Sequence, residues 1–187
     1  MKRFQVEDLS LPELKMITRV KLEDDRGFLS KIFSEEELKL VGWHGSIKQV
    51  NHTHTKYKGT IRGMHFQYAP FMEMKLVSCL HGEIWDVAVD LRKNSPTFLQ
   101  WEAIHLSAEN LTALLIPEGF AHGFQTLTDD CDLVYLHSEN YHAASEGAVR
   151  FNDPLLGIEW PLALTNISDR DKSHQLITSD FKGIISL

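Results

Sequence analysis

Cysteine is scarce in this sequence: two residues among 187, Cys79 and Cys131, each set inside an apolar, strand-like run. They form no C-x-x-C pair, so neither belongs to a paired-thiol motif. Buried free thiols are the expectation, with a single Cys79–Cys131 disulfide as the alternative. Long apolar runs are missing as well. No stretch approaches the roughly 18 consecutive apolar residues of a membrane-spanning helix, and Met1-Lys2-Arg3-Phe4-Gln5 holds no apolar leader core. A soluble, cytoplasmic protein with no membrane partner is expected. Runs of Lys and Arg are also absent. With a formal net charge of -7 and a pI of about 5.8, nucleic acid is not an expected partner. A small anionic substrate stays open, because a few convergent cations suffice to hold one. No low-complexity tract, linker or repeat divides the chain, and a hydrophobic share of 43% supports one packed core. One domain over residues 1–187 follows.

What the sequence does have is many short apolar runs cut by turn residues. Residues 75–80, 83–91, 111–116, 120–127 and 133–137 read as strands, separated by His81-Gly82, Pro117-Glu118-Gly119 and Thr128-Asp129-Asp130. Over 83–91, Trp85, Val87, Val89 and Leu91 share one face, while Ile84, Asp86, Ala88 and Asp90 share the other. The run before His81-Gly82 is apolar on both faces, as a strand between two layers is. The two runs together read as a hairpin. One helix is signalled early. Ser34 is its cap, Glu37 completes a capping box, Phe33 and Leu38 form a hydrophobic staple, and Gly42 ends it. A second short helix is expected near the C-terminus. The fold class is all-β: a two-sheet jelly-roll sandwich rolled into a barrel, with a little helix outside.

Reactive side chains sit within these strand-like runs: Arg62, His65, Gln67, Lys75, His122, Tyr135 and His137. Such residues line a ligand cavity in a barrel of this size. Each also has a plain structural reading, as a core imidazole, a solvated lysine, a packed tyrosine or a turn residue. Strict alternation separates Arg62 from His65. The two share a site only if the strand bulges, and Gly63 is where a bulge fits.

At these residues the sequence resembles the dTDP-4-dehydrorhamnose 3,5-epimerases, cupin-type sugar-nucleotide epimerases. The matching segments include Asp24-Asp25-Arg26-Gly27-Phe28, Ile61-Arg62-Gly63-Met64-His65-Phe66-Gln67, Lys75-Leu76-Val77 and Ser95-Pro96-Thr97-Phe98. Ile116-Pro117-Glu118-Gly119-Phe120-Ala121-His122-Gly123-Phe124 and Asn152-Asp153-Pro154 continue the series. The resemblance implies a homodimeric jelly roll without a cofactor or metal, acting on a nucleotide-sugar substrate. It implies His65 as general base, Asp171 as its orienting carboxylate (with Asp169 as the alternative), Lys75 beside the sugar oxygen and Tyr135 as the opposing acid. Substrate contacts are implied at Arg26, Phe28, Gln49, Asn51, Arg62, His122 and Tyr141, and Gln67 joins them from the strand pattern. Two positions depart from the family habit: Lys31 stands where Glu is common, and Ser78 where Arg is common.

The chemistry explains why such residues are needed. In a 4-keto-6-deoxy sugar the ketone acidifies the hydrogens on C3 and C5, and removing one leaves an enolate. A base, an acid on the opposite face and a donor for the oxyanion complete the reaction. An enzyme inverting only C3 or only C5 is a close variant. The alternative of another class is a metal-dependent or non-catalytic cupin that binds a small anion through His52, His54 and His122. The His52-Thr53-His54 pattern favours it. The next carboxylate, Glu73, is distant, and Lys56 and Lys58 stand near the pair, which weigh against it.

Overall fold

The computed structural model describes residues 3–185. In chain order the strands are β1 (Phe4–Asp8), β2 (Lys15–Arg19), β3 (Lys21–Asp24), β4 (Gly27–Ser30), β5 (Gln49–Thr55), β6 (Ile61–Gln67) and β7 (Lys75–His81). They continue with β8 (Glu83–Asp90), β9 (Trp101–Ser107), β10 (Thr112–Ile116), β11 (Phe120–Thr126), β12 (Cys131–His137) and β13 (Glu146–Ala148). Two short helices, α1 (Glu35–Lys39) and α2 (Asp169–Ser173), lie outside the sheets. None of the described helices is long and apolar enough to cross a membrane.

Two antiparallel sheets face each other. One has the order β1-β2-β10-β7-β12-β5, the other β13-β6-β11-β8-β9, and β3 with β4 forms a separate hairpin. This is the expected jelly roll. Among the described residues no ladder joins the two large sheets, so the architecture is a sandwich and not a closed barrel. The expected β7–β8 hairpin is also corrected. β7 pairs with β10 and β12, whereas β8 pairs with β11 and β9. His81-Gly82 is therefore a corner that carries the chain from one sheet to the other. Gly82 has φ of 75°, and a Cβ there would lie 2.6 Å from Thr128 Oγ1 and 2.8 Å from Cys131 Sγ. That crowding and the positive φ together call for glycine.

The alternation read over 83–91 holds, and both faces are covered. Ile84 and Ala88 enter the core between the sheets, while Val87, Val89 and Leu91 pack outward under Val149, Leu156 and Ile184 of the C-terminal segment. The staple residues Phe33 and Leu38 lie together against Leu76 and Leu136 on the outer face of the six-stranded sheet. The capping box does not form. Ser34 makes no side-chain cap bond, and Glu37 instead accepts the Arg3 N–H at 2.8 Å and pairs with Lys31. The Lys31 ammonium and the Arg3 N–H, just before β1, outcompete the local N–H for that carboxylate. Both cysteines are buried and free; burial and the nearby Cys131 push the Cys79 thiol up to about 12.

The space between the sheets changes character along its length. On β12 the inward residues run Cys131, Leu133, Tyr135, His137, and the facing positions of antiparallel β7 run Cys79, Val77, Lys75. One end of the interior is therefore dry, filled by side chains such as Leu114, Phe124 and Leu133, each contributing about 2 kcal/mol through burial. The other end is lined by groups that need a polar partner.

Candidate active site

A cavity of about 610 Å³ opens at that polar end, within the range of small-molecule sites. His65 and Arg62 both line it. The register of β11 against β6 shifts between His122 and Phe124: His122 faces His65, while Phe124 faces Arg62. Three steps on β6 thus match two on β11, which is the expected bulge at Gly63-Met64. Gly63 has φ of 133°, and a Cβ there would stand 2.5 Å from Gly123 Cα. The bulge returns Arg62 and His65 to one face.

Asp171 arrives from the far end of the chain. Asn166 joins Thr60 in a parallel bridge and brings α2 to the mouth of the cavity. The Ser168 side chain caps this helix by accepting the Asp171 N–H at 3.0 Å. Asp171 Oδ1 then lies 2.8 Å from His65 Nε2, and its Oδ2 accepts the Gly63 N–H at 3.3 Å. Burial alone pushes the Asp171 carboxyl up. The His65 hydrogen bond and charge, with help from Gly63 and Ser168, outweigh burial and hold it below the ordinary Asp value. The carboxylate leaves Nδ1 of His65 as the ring nitrogen turned to other uses; among the described residues it has no hydrogen-bond partner.

Tyr135 lines the cavity from the opposite sheet. Its ring meets the His122 ring edge-on at 5.9 Å and stacks on His137 at 6.0 Å. Burial, then the charge of Asp86, drives its pKa well above the ordinary phenol range, with Thr53 and Arg62 pulling the other way. The phenol therefore keeps its proton at neutral pH. His122 is buried and paired with Asp86, Nε2 to Oδ1 at 2.7 Å. Lys75 and His137 share Glu73: Lys75 Nζ is 3.2 Å from Oε1 and His137 Nδ1 is 2.7 Å from Oε2. Burial raises the Glu73 pKa, but the Lys75 and His137 charges prevail and lower it on balance. The Lys75 ammonium also reaches the His65 carbonyl at 3.4 Å, which leaves one of its three donors for the cavity.

The fold agrees with that of related chains. A family model for dTDP-4-dehydrorhamnose 3,5-epimerase matches residues 8–179. The chain is 41% identical over 170 residues to the dTDP-4-dehydrorhamnose 3,5-epimerase of Salmonella typhimurium, covering 90% of this chain and 92% of that one. The chain belongs to the dTDP-4-dehydrorhamnose 3,5-epimerase family. Family membership makes it an epimerase, and so an isomerase. Its backbone superposes with a TM-score of 0.90 on the Bacillus anthracis enzyme with TDP and PPi bound, at 39% identity over 93% of this chain and 99% of that chain. The Legionella pneumophila enzyme in complex with dTDP-4-keto-L-rhamnose gives a TM-score of 0.90 at 36% identity, covering 98% and 100%.

Within this epimerase fold, His65, Asp171, Lys75, Tyr135, Asn51, Arg62 and His122 all reach one cavity. Other expected contacts do not. Gln67 is buried and spends its amide on the carbonyls of Phe71 and Asn140 and on the His142 N–H. Gln49 bonds Asn51 and the Tyr141 N–H, and the Tyr141 hydroxyl donates to Glu146 at 2.9 Å. Arg26 and Phe28 ride on the β3–β4 hairpin beside a separate hollow, with Arg26 paired to Asp24. Lys31 sits near α1, and Ser78 is buried on the face of β7 opposite Lys75. Neither of these two lines the cavity.

The metal alternative through His52, His54 and His122 is overturned. On β5 Asn51 and Thr53 line the cavity, so alternation turns His52 and His54 to the outer face, where both bond Asp132 at 3.0 Å. His122 lies inside the sandwich, so the three imidazoles do not converge. The acids that stand behind His122 and behind Lys75 and His137 were not among the residues singled out from the sequence. Asp86 had a signal, an acidic residue on the same face as Ile84 and Ala88. Glu73 lies outside the strands and had none.

Proposed function

We propose that this chain inverts C3 and C5 of a nucleotide-linked 4-keto-6-deoxy sugar, of the dTDP-4-dehydro-6-deoxyglucose kind, with no cofactor. The carrying observation is that the Asp171-oriented His65 and the protonated Tyr135 line one cavity from opposite sheets. His65 Nδ1 takes the proton from the carbon beside the ketone, and Asp171 favours the imidazolium that forms. The free donor of Lys75 meets the charge that collects on the C4 oxygen, a contribution of about 3 kcal/mol for one well-placed donor. Tyr135 returns a proton from the other face, which inverts the centre. Arg62, Asn51 and His122 supply polar contacts around the sugar.

The whole chain, residues 1–187, acts as one jelly-roll domain that works as a homodimer in the cytoplasm, where Cys79 and Cys131 stay reduced. The hairpin supports the dimer. Phe28 is 54% exposed and Leu29 69%, and neither reaches the cavity of its own chain. A second copy that receives this hairpin covers the apolar pair and brings Arg26 and Phe28 to a substrate. Sedimentation equilibrium giving a monomer mass at micromolar concentration rejects the dimer.

Product NMR in D₂O tests the reaction, using thymidine-, CDP-, UDP- and GDP-linked 4-keto-6-deoxy sugars. Deuterium at both C3 and C5, with an inverted product from the thymidine-linked sugar, is expected. Absence of deuterium with every nucleotide overturns the reading; label at one carbon alone assigns a single-centre epimerase.

A further inference from the structure

Beside the dyad stands a second imidazole that the reaction does not require. His174 follows the last turn of α2 and lies at i+3 from Asp171, so a helical spacing turns both toward the same point. Its Nε2 is 3.6 Å from Asp171 Oδ1, the same oxygen that His65 Nε2 approaches at 2.8 Å. The rings of His65 and His174 meet edge-on with centroids 6.0 Å apart. Nε2 of His174 is buried and has no hydrogen-bond partner among the described residues.

One ligand atom from each of His65, Asp171 and His174 lies within 4.8 Å of the other two, the one such set among the described residues. Two imidazole nitrogens and a carboxylate oxygen suit a borderline divalent ion such as Zn²⁺. At zinc–ligand lengths of about 2.0–2.1 Å, tetrahedral donors stand about 3.3–3.4 Å apart. The 2.8 Å pair must open and the 3.6 Å pair close by a few tenths of an ångström. The neighbouring cations each have an acidic partner of their own: Arg170 pairs with Glu146 and Lys172 with Asp169. The carboxylate is ionised, and Ser168 holds the helix that presents it.

We propose that His65, Asp171 and His174 form a Zn²⁺-type site that overlaps the catalytic dyad, so that a bound divalent transition metal inhibits the enzyme. The inhibition follows from the tautomer. Without metal, the proton on His65 Nε2 bonds Asp171 and Nδ1 holds the lone pair. A metal on Nε2 displaces that proton, and the neutral ring then carries its proton on Nδ1. That nitrogen can no longer accept a proton from substrate. Metal binding itself stands apart from the proposed reaction; the loss of activity rests on His65 being the base.

Isothermal titration with ZnCl₂ tests the site directly. A His52→Ala/His54→Ala background removes the unrelated imidazole pair on the outer face. One Zn²⁺ per chain is expected. Affinity should fall at least about tenfold in His174→Ala, while His174→Cys, which supplies a thiolate, should keep it and so separates a lost ligand from a lost fold. Deuterium wash-in should fall as the site fills and return with EDTA. Failure to bind one zinc, or equal affinity after His174→Ala, overturns the site. Zinc bound with undiminished deuterium wash-in overturns the inhibition. If no nucleotide sugar exchanges deuterium even without zinc, the epimerase reading has failed, and the titration still decides the site.

Discussion

Asp171 Oδ1 lies 2.8 Å from His65 Nε2, across 106 residues of sequence. The contact joins the strand that lines the cavity to a five-residue helix near the C-terminus. It assigns the tautomer of the imidazole: Nε2 donates, Nδ1 accepts. Asp171→Asn keeps the size of the side chain and removes the charge. Steady-state epimerisation by this variant is expected to drop by about 10²–10⁴-fold. His65→Ala should abolish turnover while circular dichroism stays that of wild type. Near-normal rates in either variant reject the dyad as the base.

Tyr135→Phe separates the two half-reactions. The ring keeps its packing against His122 and His137, and only the hydroxyl is lost. Proton abstraction by His65 continues, so NMR should record deuterium entering the substrate. Inversion should fall by on the order of 10²-fold or more. Unimpaired inversion would show that another group, or water, delivers the proton.

Acid stability reports a different carboxylate. Asp90 is fully buried and collects Arg92, Ser95 and Thr97. Burial raises its pKa, but these partners prevail and hold it below the ordinary value of 3.8. A depressed folded-state pKa stabilises the fold fully above the unfolded value and loses that effect as pH falls through the folded one. Thermal melts at stepped pH should therefore show wild type losing its advantage over Asp90→Asn only below about pH 4. A constant gap between the two down to pH 2 contradicts the assignment.

Gly123→Ala tests the close approach that makes the bulge. The new Cβ would lie 2.5 Å from Met64 Sδ, 2.6 Å from the Arg62 carbonyl oxygen and 2.9 Å from Gly63 Cα, so strand backbone as well as a side chain must shift. Urea unfolding should show a loss of about 3 kcal/mol, the upper part of the range for overpacking. Activity should fall too, because Arg62 and His65 share the cavity only through that bulge. A stable, active alanine variant would mean that the strands can separate locally without cost to the site.

Much of this was readable from residue order alone. Alternation along 83–91 identified both faces of β8, and Gly63 between Arg62 and His65 marked the bulge. These are local properties, set by the two-residue period of a strand and by the one residue type that tolerates crowding and positive φ. His81-Gly82 shows where locality ends. A glycine turn between two apolar runs fits a hairpin and a sheet-to-sheet corner equally well, and the ladder partners that decide it come from elsewhere in the chain. The capping box at Ser34 failed for the same reason: Arg3 and Lys31 claimed Glu37.

The sequence by itself determined that strands would dominate, which faces they would bury, and that an imidazole, an ammonium and a phenol were available within them. Only the tertiary structure decided which acids stand behind those groups: Asp171 behind His65, Glu73 behind Lys75 and His137, Asp86 behind His122. It also turned His52 and His54 away from the cavity and set His174 beside Asp171. The reason is physical. Strand period and turn chemistry act over a few residues, whereas an ion pair between buried groups depends on which strands become neighbours, and that is a property of the packed whole.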